Sequence, residues 1–422
     1  MIGYKKYKLT PSLGFEKIPA EWDLKKVKYL FHIGRGRVIS QEELMDNGLY
    51  PVFSSQTQNN GCLGYINTFD FDCDQLTWTT DGANAGTVFI RSGKHNCTNV
   101  CGTLQPIKDQ TNLKFSHYAL QYATQFHKRP DTNGAKIMNN EMAEISFALP
   151  AECEQFKIIE YLDYETAKID TLIANQEKLI ELLKEKRQGV ISHAVTKGLN
   201  PNVPMKDSVV EWLGQVPEHW IVKRLKHISP KIGVGLVINP STYTREDGVY
   251  FIFGGDVKEY GFDLKKTRHI SKKDSDNLLP SRLNHRDLVS VRVGYPGITA
   301  VVTEELDGAN CASIIVIRRG SYNSDWLCAA MNIWVGRQQV DLASYGAAQK
   351  QFNVADAIEF IFPVPPLNEQ NEIASFVDNT RNNFDNLSQK AQLQIELLKE
   401  RRIALISAAV TGKIDVRNWQ NP

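Results

Sequence analysis

Nothing in this sequence is built to cross a membrane. No apolar run approaches the ~20 residues a span needs. The start, MIGYKKYKLT, is charged, with no apolar stretch behind it, so a secretory signal is not expected. A cytoplasmic protein is the expectation. Cysteine is sparse: seven in 422 residues, an odd number and scattered. In a reducing compartment they read as free thiols rather than a disulfide framework. The closest grouping is Cys62, Cys73, His95, Cys97 and Cys101. It lacks the short paired spacing of zinc sites, and no metal is expected. Charge of one sign is also missing, with 49 Lys and Arg against 48 Asp and Glu. A protein that grips DNA unaided normally carries a basic excess. If DNA is the ligand, either the positive charge is local or a partner supplies the rest.

Signatures of chemistry are absent too. There is no GxxxxGK[ST] phosphate loop and no GxGxxG after a strand. There is no [ND]PP[FY] motif; NPST at 239–242 is a superficial echo. PDTNGAK at 130–136 begins like a nuclease motif but lacks the acidic-x-Lys pair that would hold a metal. Neither HExxH nor GxSxG occurs. No catalytic residue and no cofactor of its own are expected in this chain.

What is present is a repeat. IELLKEKR at 180–187 returns as IELLKERR at 395–402, and ISHAVT at 191–196 returns as ISAAVT at 406–411. Pro150, Glu154, Gln155, Ile158, Asp163 and Asp170 match Pro365, Glu369, Gln370, Ile373, Asp378 and Asp385. Upstream, IPAEWDLKKVK at 18–28 parallels VPEHWIVKRLK at 216–226, and NGLYPVF parallels DGVYFIF. The layout is a first globular domain over 1–149, a helical region over 150–198, a linker over 199–211, a second domain over 212–363, a second helical region over 364–414 and a tail over 415–422.

Each helical region starts after proline and stops at a glycine, Gly198 or Gly412. Apolar residues recur at three- and four-residue steps: Ile158, Leu162, Ile169, Leu172, Leu179, Leu183 and Val190, then Ile373, Val377, Phe384, Leu387, Ala391, Leu398 and Leu405. This is a coiled-coil seam, expected to serve helix–helix packing and a partner interface. A short linker forces the second helix to run back. The expected fold is α+β: two similar globular domains joined by two long antiparallel helices, with a pseudo-two-fold internal repeat. Helices of ~45 residues would span about 65 Å, a ruler between the domains.

The domains carry short apolar strands (YPVF, TVFI, YFIF, SIIVI) separated by Gly-rich polar turns. Arg or Lys reads guanine and Asn or Gln reads adenine in the major groove, while backbone N–H groups at glycine turns suit phosphates. The candidate DNA-binding residues of the first domain are Arg35, Arg37, Ser54, Ser55, Gln56, Gln58, Thr80, Asn84, Lys136, Asn139 and Asn140. Those of the second are Lys231, Asp256, Lys258, Arg292, Tyr295, Tyr345, Gln349, Lys350 and Gln351. The loops recur while their tips differ: Tyr295 stands near the counterpart of Asn84, and Val234 near that of Arg35. Two scaffolds with different tips would read two different half-sites. Trp22 and Trp220, in the shared Pro-x-x-Trp, read as core packing.

With MKDSVVEWLGQVPEHW at 205–220, PPLNEQNEIASFVD at 365–378, its weaker twin LPAECEQFKIIEYLD at 149–163 and the two ELLKE[KR]R segments, the chain resembles the specificity subunits of Type I restriction-modification systems over essentially its whole length. The resemblance implies two target recognition domains on double-stranded DNA. It implies two methyltransferase (modification) subunits, which bind S-adenosylmethionine and methylate adenine N6. It also implies two restriction/translocase subunits using ATP and Mg, so that cofactors sit on the partners and not here. A related system with nuclease and methyltransferase fused in one partner chain fits the same residues. A coiled-coil scaffold with ligand-binding domains is the alternative from another class. LPAECEQ departs from the more typical PPLNEQ, so the first helix is expected to dock its partner slightly differently.

Overall fold

A computed structural model describes residues 3–108, 111–132, 134–346 and 349–421. The chain divides into two compact units. Unit 1 is Met1–Glu177 with Gln392–Pro422, and unit 2 is Lys178–Ala391. Each unit thus takes one half of each long helix, Glu152–Lys197 and Leu367–Val410.

Unit 1 opens with a hairpin, Tyr7–Leu9 on Lys17–Pro19. Asp23–Lys26 then pairs antiparallel with Ser146–Leu149, the strand that leads into the first long helix. Between them lies a four-stranded sheet in the order Val88–Arg91, Gln75–Thr79, Cys101–Pro106, Phe31–Arg35. Its strand QLTWT is buried at every position, as suits a strand covered on both faces. A second sheet includes Tyr50–Phe53, paired in parallel with Lys94–Cys97. The helix Leu113–Ala123 begins at Asn112, whose side chain accepts from the N–H groups of Lys114 and Phe115. Trp78, Leu104, Phe115 and Phe147 form one core with Ile158 and Leu162 of the first long helix and Ile406, Ala409 and Val410 of the second.

Unit 2 repeats this plan. Met205–Asp207 pairs with Gln215–Pro217, so the segment read as a linker carries a strand of this unit. Ile221–Arg224 pairs with Ile361–Val364. A four-stranded sheet runs Ile232–Val234, Ile314–Ile317, Leu288–Val291, Thr299–Val301. The parallel pair recurs as Val249–Ile252 with Asn310–Cys311. The capped helix recurs as Ser324–Asn332 behind Asn323. Trp326, Leu327 and Phe362 pack with Ile191, Ala194, Val195, Ile373 and Val377 of the long helices.

Within each unit the helix halves run antiparallel. In unit 1 Arg402 pairs with Asp170 at 2.8 Å, and nearer the globular domain Ile406 and Val410 share a core with Ile158 and Leu162. In unit 2 Arg187 pairs with Asp385 at 2.6 Å, with Ile191 and Val195 beside Ile373 and Val377. The four charged residues sit at repeat-equivalent positions. Gly198 and Gly412 close the helices in the left-handed region, at φ +81° and +69°.

The seam itself needs correction. Ile158, Leu162, Ile169, Ile373, Val377 and Leu398 are buried, and Leu183, Val190, Phe384 and Leu405 are half-buried. Leu172, Leu179 and Leu387 are 48, 42 and 48% exposed and face outward. Polar residues occupy inward positions. Thr166 is buried with its hydroxyl donating to the Leu162 carbonyl, Gln176 is half-buried, and Thr380 is buried. Ile173 and Ile180 take the next inward steps. A seam traced through apolar residues alone slides past those polar positions onto the outer face.

His117, on the capped helix of unit 1, has its Nδ1 enclosed with no partner among the described residues. Burial, with Arg402 and Lys114 nearby, lowers its pKa from 6.5 to about 4. The folded state therefore binds this proton less readily than the unfolded chain. The stability it contributes is full above pH 6.5 and fades as pH falls toward 4, by about 3 kcal/mol at most. The melting midpoint is expected to fall over that window, and to fall less in His117→Gln. Superimposable profiles would remove His117 as the cause.

Among the described residues, no helix is long and apolar enough to cross a membrane.

Candidate nucleic-acid interface

In unit 1 four loops are tied to one another by backbone and side-chain bonds. The Gly36 and Arg37 N–H groups donate to the Cys101 and Cys97 carbonyls, at 3.1 Å each. Arg35 Nη2 donates to Thr80 Oγ1 at 3.3 Å, and Asn139 Nδ2 to the Gly34 carbonyl at 3.1 Å. The strand Gly134–Lys136 pairs with Asp81–Gly82, which sets Lys136 opposite Asp81. Asn84 Nδ2 reaches Thr57 Oγ1 at 3.4 Å. The sequence-predicted residues of this domain are thereby brought together from the segments 34–37, 54–61, 79–86 and 134–140. Asn133, within the last of these loops, lies outside the described residues.

They do not stand equally free. Arg35, Gln58, Asn84 and Asn140 are exposed. Ser54, Ser55, Gln56, Lys136 and Asn139 are half-buried. Thr98 donates to the Ser54 hydroxyl at 3.0 Å, Gln56 donates to the Cys62 carbonyl, and Lys136 lies 3.3 Å from Asp131. Thr80 is buried and donates to the Val100 carbonyl at 3.1 Å, so it seats Arg35 from below. Arg37 is engaged by Glu43 at 2.8 Å and Asp70 at 3.1 Å; those carboxylates hold its pKa above the usual value and close the 37–43 turn.

In unit 2 two loops are zipped into one. Gly294 N–H donates to the Lys350 carbonyl at 3.0 Å and Phe352 N–H to that of Arg292 at 3.3 Å. Gln351 bridges to both Val293 and Tyr345. This brings Arg292, Tyr295, Tyr345, Gln349, Lys350 and Gln351 together. Tyr295, Tyr345, Gln349 and Lys350 are exposed, and Arg292 and Gln351 half-buried. Ala347 and Ala348 lie outside the described residues. Lys231 is exposed just before the strand Ile232–Val234. Asp256 is committed to its own turn, accepting from Phe253 N–H at 2.8 Å and Thr267 Oγ1 at 3.2 Å. Lys258 caps the same turn through the Gly255 carbonyl at 2.8 Å.

Two arginines that anchor these loops carried no sequence signal strong enough to single them out. Arg91, 2% exposed, lies under the 54–61 loop and donates to the Asn60 carbonyl at 2.8 Å. Arg337 donates to the Pro296 carbonyl at 3.1 Å and pairs with Glu259 at 2.7 Å. The residues of the Cys62–Cys101 grouping have other partners. His95 shares a hydrogen bond of 2.7 Å with Gln75 Nε2 and contacts the Gly93 carbonyl at 2.8 Å. Among the described residues no three potential ligands converge.

Paired loop clusters, polar at their tips and carried on duplicated scaffolds, define a recognition protein. Residues 19–182 match the family model described as the Type I restriction modification DNA specificity domain. The chain is 30% identical over 382 residues to S.MpnORF507P of Mycoplasma pneumoniae, named as a type I specificity subunit, covering 89% of this chain and 93% of that one. It is 23% identical over 334 residues to the EcoBI specificity subunit of Escherichia coli, covering 75 and 69%. A chain from a solved type I R-M system superposes with a TM-score of 0.70 at 13% identity, over 94% of this chain and 99% of that one, which shows the shared fold. The chain belongs to the Type I restriction-modification specificity subunits.

Proposed function

We propose that this chain reads a split DNA target, one half-site per recognition domain, and brings the chemistry to it by recruiting partners. Two modification subunits carry S-adenosylmethionine and methylate adenine N6. Two restriction subunits carry ATP and Mg and add translocation and cleavage. The chain itself contributes recognition and no catalytic group, and works in the cytoplasm where the DNA is. The observation that supports this most is the duplication. The same loops arise from the same sheet positions in both units, yet one cluster presents Arg35, Gln58 and Asn84 and the other Tyr295, Gln349 and Lys350. The near-balanced net charge fits a reader whose partners supply further basic surface around the duplex.

The test is DNA binding by the chain assembled with its modification subunits, on a duplex whose target is taken from the N6-methyladenines of the host genome. Binding is expected to be weak for the chain alone and strong for the assembly. Arg35→Ala and Lys350→Ala are each expected to weaken it by about tenfold, corresponding to 1–3 kcal/mol for a base-edge contact, with melting unchanged because both side chains are exposed. No affinity in the assembled complex would rule the function out.

A further inference from the structure

The most exposed ring of the unit 2 cluster is Tyr295, at 81%. It sits at the tip of a short turn held from every side. Gly294 and Gly297 adopt φ of +91° and +90°, a region that L side chains rarely enter. Gly297 N–H donates to the Val291 carbonyl at 2.8 Å, and a Cβ at Gly297 would come within 3.1 Å of Val340. Arg337 holds the Pro296 carbonyl, and the neighbouring loop holds Gly294 and Arg292. A large ring is thus displayed to water on a turn whose backbone is held in place, with Arg292, Gln349 and Lys350 on the joined loops. The equivalent turn of unit 1 has no ring: its exposed residues are Ala83 and Asn84.

Resting on the DNA-reading function proposed above, we propose that Tyr295 reads an A·T pair in its half-site by contacting the thymine C5-methyl in the major groove. The polar neighbours are of the types that read base edges there, and the one apolar group displayed in that groove is the thymine methyl. With the backbone of the turn already held, contact orders only the side-chain torsions of Tyr295, so little of the methyl's burial is lost to ordering the loop. Unit 1, with an amide at this place, has no such contact to make, so the two half-sites are read by different chemistry at corresponding tips.

The experiment uses the chain assembled with its modification subunits and a duplex carrying the genomic target. Each thymine is replaced in turn by deoxyuridine, which removes the methyl and nothing else. One replacement, confined to one half-site, is expected to weaken wild-type binding about three- to tenfold, the scale of one buried methyl and its packing. The same replacement is expected to leave the affinity of Tyr295→Ala unchanged. Tyr295→Ala should melt with the wild type, since the ring is exposed. If no replacement matters, or if the loss persists undiminished in Tyr295→Ala, the assignment is overturned. So too if Tyr295→Ala weakens binding with no accompanying deoxyuridine effect, as a ring wedged between base pairs would. A wild-type assembly that fails to bind the target at all would instead overturn the DNA-reading function.

Discussion

Trp22→Ala is expected to unfold unit 1. The indole is fully buried, its ring meets Tyr4 edge-on at 5.5 Å, and its Nε1 donates to Glu154 Oε2 at 3.1 Å. A Cβ at Gly412, the end of the second long helix, would lie 3.3 Å from the same ring. One side chain therefore fastens the recognition domain, the start of one long helix and the end of the other. Truncating a buried Trp costs about 3–5 kcal/mol, and a buried acceptor that loses its donor adds about 1–3. That approaches the 5–15 kcal/mol by which a domain is held folded. Trp22→Phe keeps most of the volume and loses the donor, so only the smaller loss is expected. Urea unfolding followed by circular dichroism measures both. Equal losses for the two variants would assign the effect to the hydrogen bond and not to packing. In unit 2 Trp220 repeats the arrangement, with Nε1 2.9 Å from Glu369 Oε2 and Gly198 against its ring, and Trp220→Ala is expected to be as damaging there.

The tryptophans were legible as core residues, and what they bond to was within reach. Glu154 and Gln155 recur as Glu369 and Gln370 in the sequence. Each glutamate receives an indole N–H, and each glutamine donates to the carbonyl of the proline before its helix, at 2.9 Å. Paired polar residues at two helix starts signal a shared structural duty, but only the folded chain shows that Trp22 and Trp220, over a hundred residues upstream, complete it. The long helices were legible because proline, apolar period and glycine agree on their limits. The seam was not, because Thr166, Gln176 and Thr380 occupy inward positions, and polarity is a poor guide to burial where a hydroxyl can bond back to its own helix. For the loops, residue type and repetition located the clusters. Which side chains are spent inside depended on contacts between distant segments: Arg37 on Asp70, Thr80 on Val100, Asp256 on Thr267.

Arg91→Met is expected to separate stability from recognition. Arg91 ends the strand Val88–Arg91, with its guanidinium 3.6 Å from the centre of the Phe53 ring and 4.4 Å from that of Phe89. Nε donates to Thr77 Oγ1 at 3.1 Å and Nη1 to the Asn60 carbonyl at 2.8 Å, while Nη2 is enclosed with no partner among the described residues. Among the described residues no carboxylate hydrogen-bonds or pairs with it, and burial pulls its pKa down to about 10. Burying a guanidinium costs several kcal/mol, and even buried ion pairs replaced by apolar groups of similar volume often leave a protein as stable or more so, by about 1–4 kcal/mol. Methionine fills the space between the two rings and removes the cost. What it cannot do is hold Asn60. Asn59 and Asn60 both sit in the left-handed region, at φ +53° and +52°, a turn that asparagine tolerates but does not insist on. Without the guanidinium, the segment that carries Gln58 and packs Thr57 against Asn84 loses its anchor from below. A melting midpoint equal to or above that of the wild type is expected, together with binding of the assembled complex to its target weakened by about tenfold or more, the scale of a lost hydrogen bond to a charged group. On the split target proposed above, with the 54–61 loop in unit 1, the loss is expected to fall on base changes in one half-site and to leave discrimination in the other intact. A variant that melts well below the wild type would make Arg91 a stabilising core residue instead, and one that keeps full affinity would place the 54–61 loop outside the DNA interface.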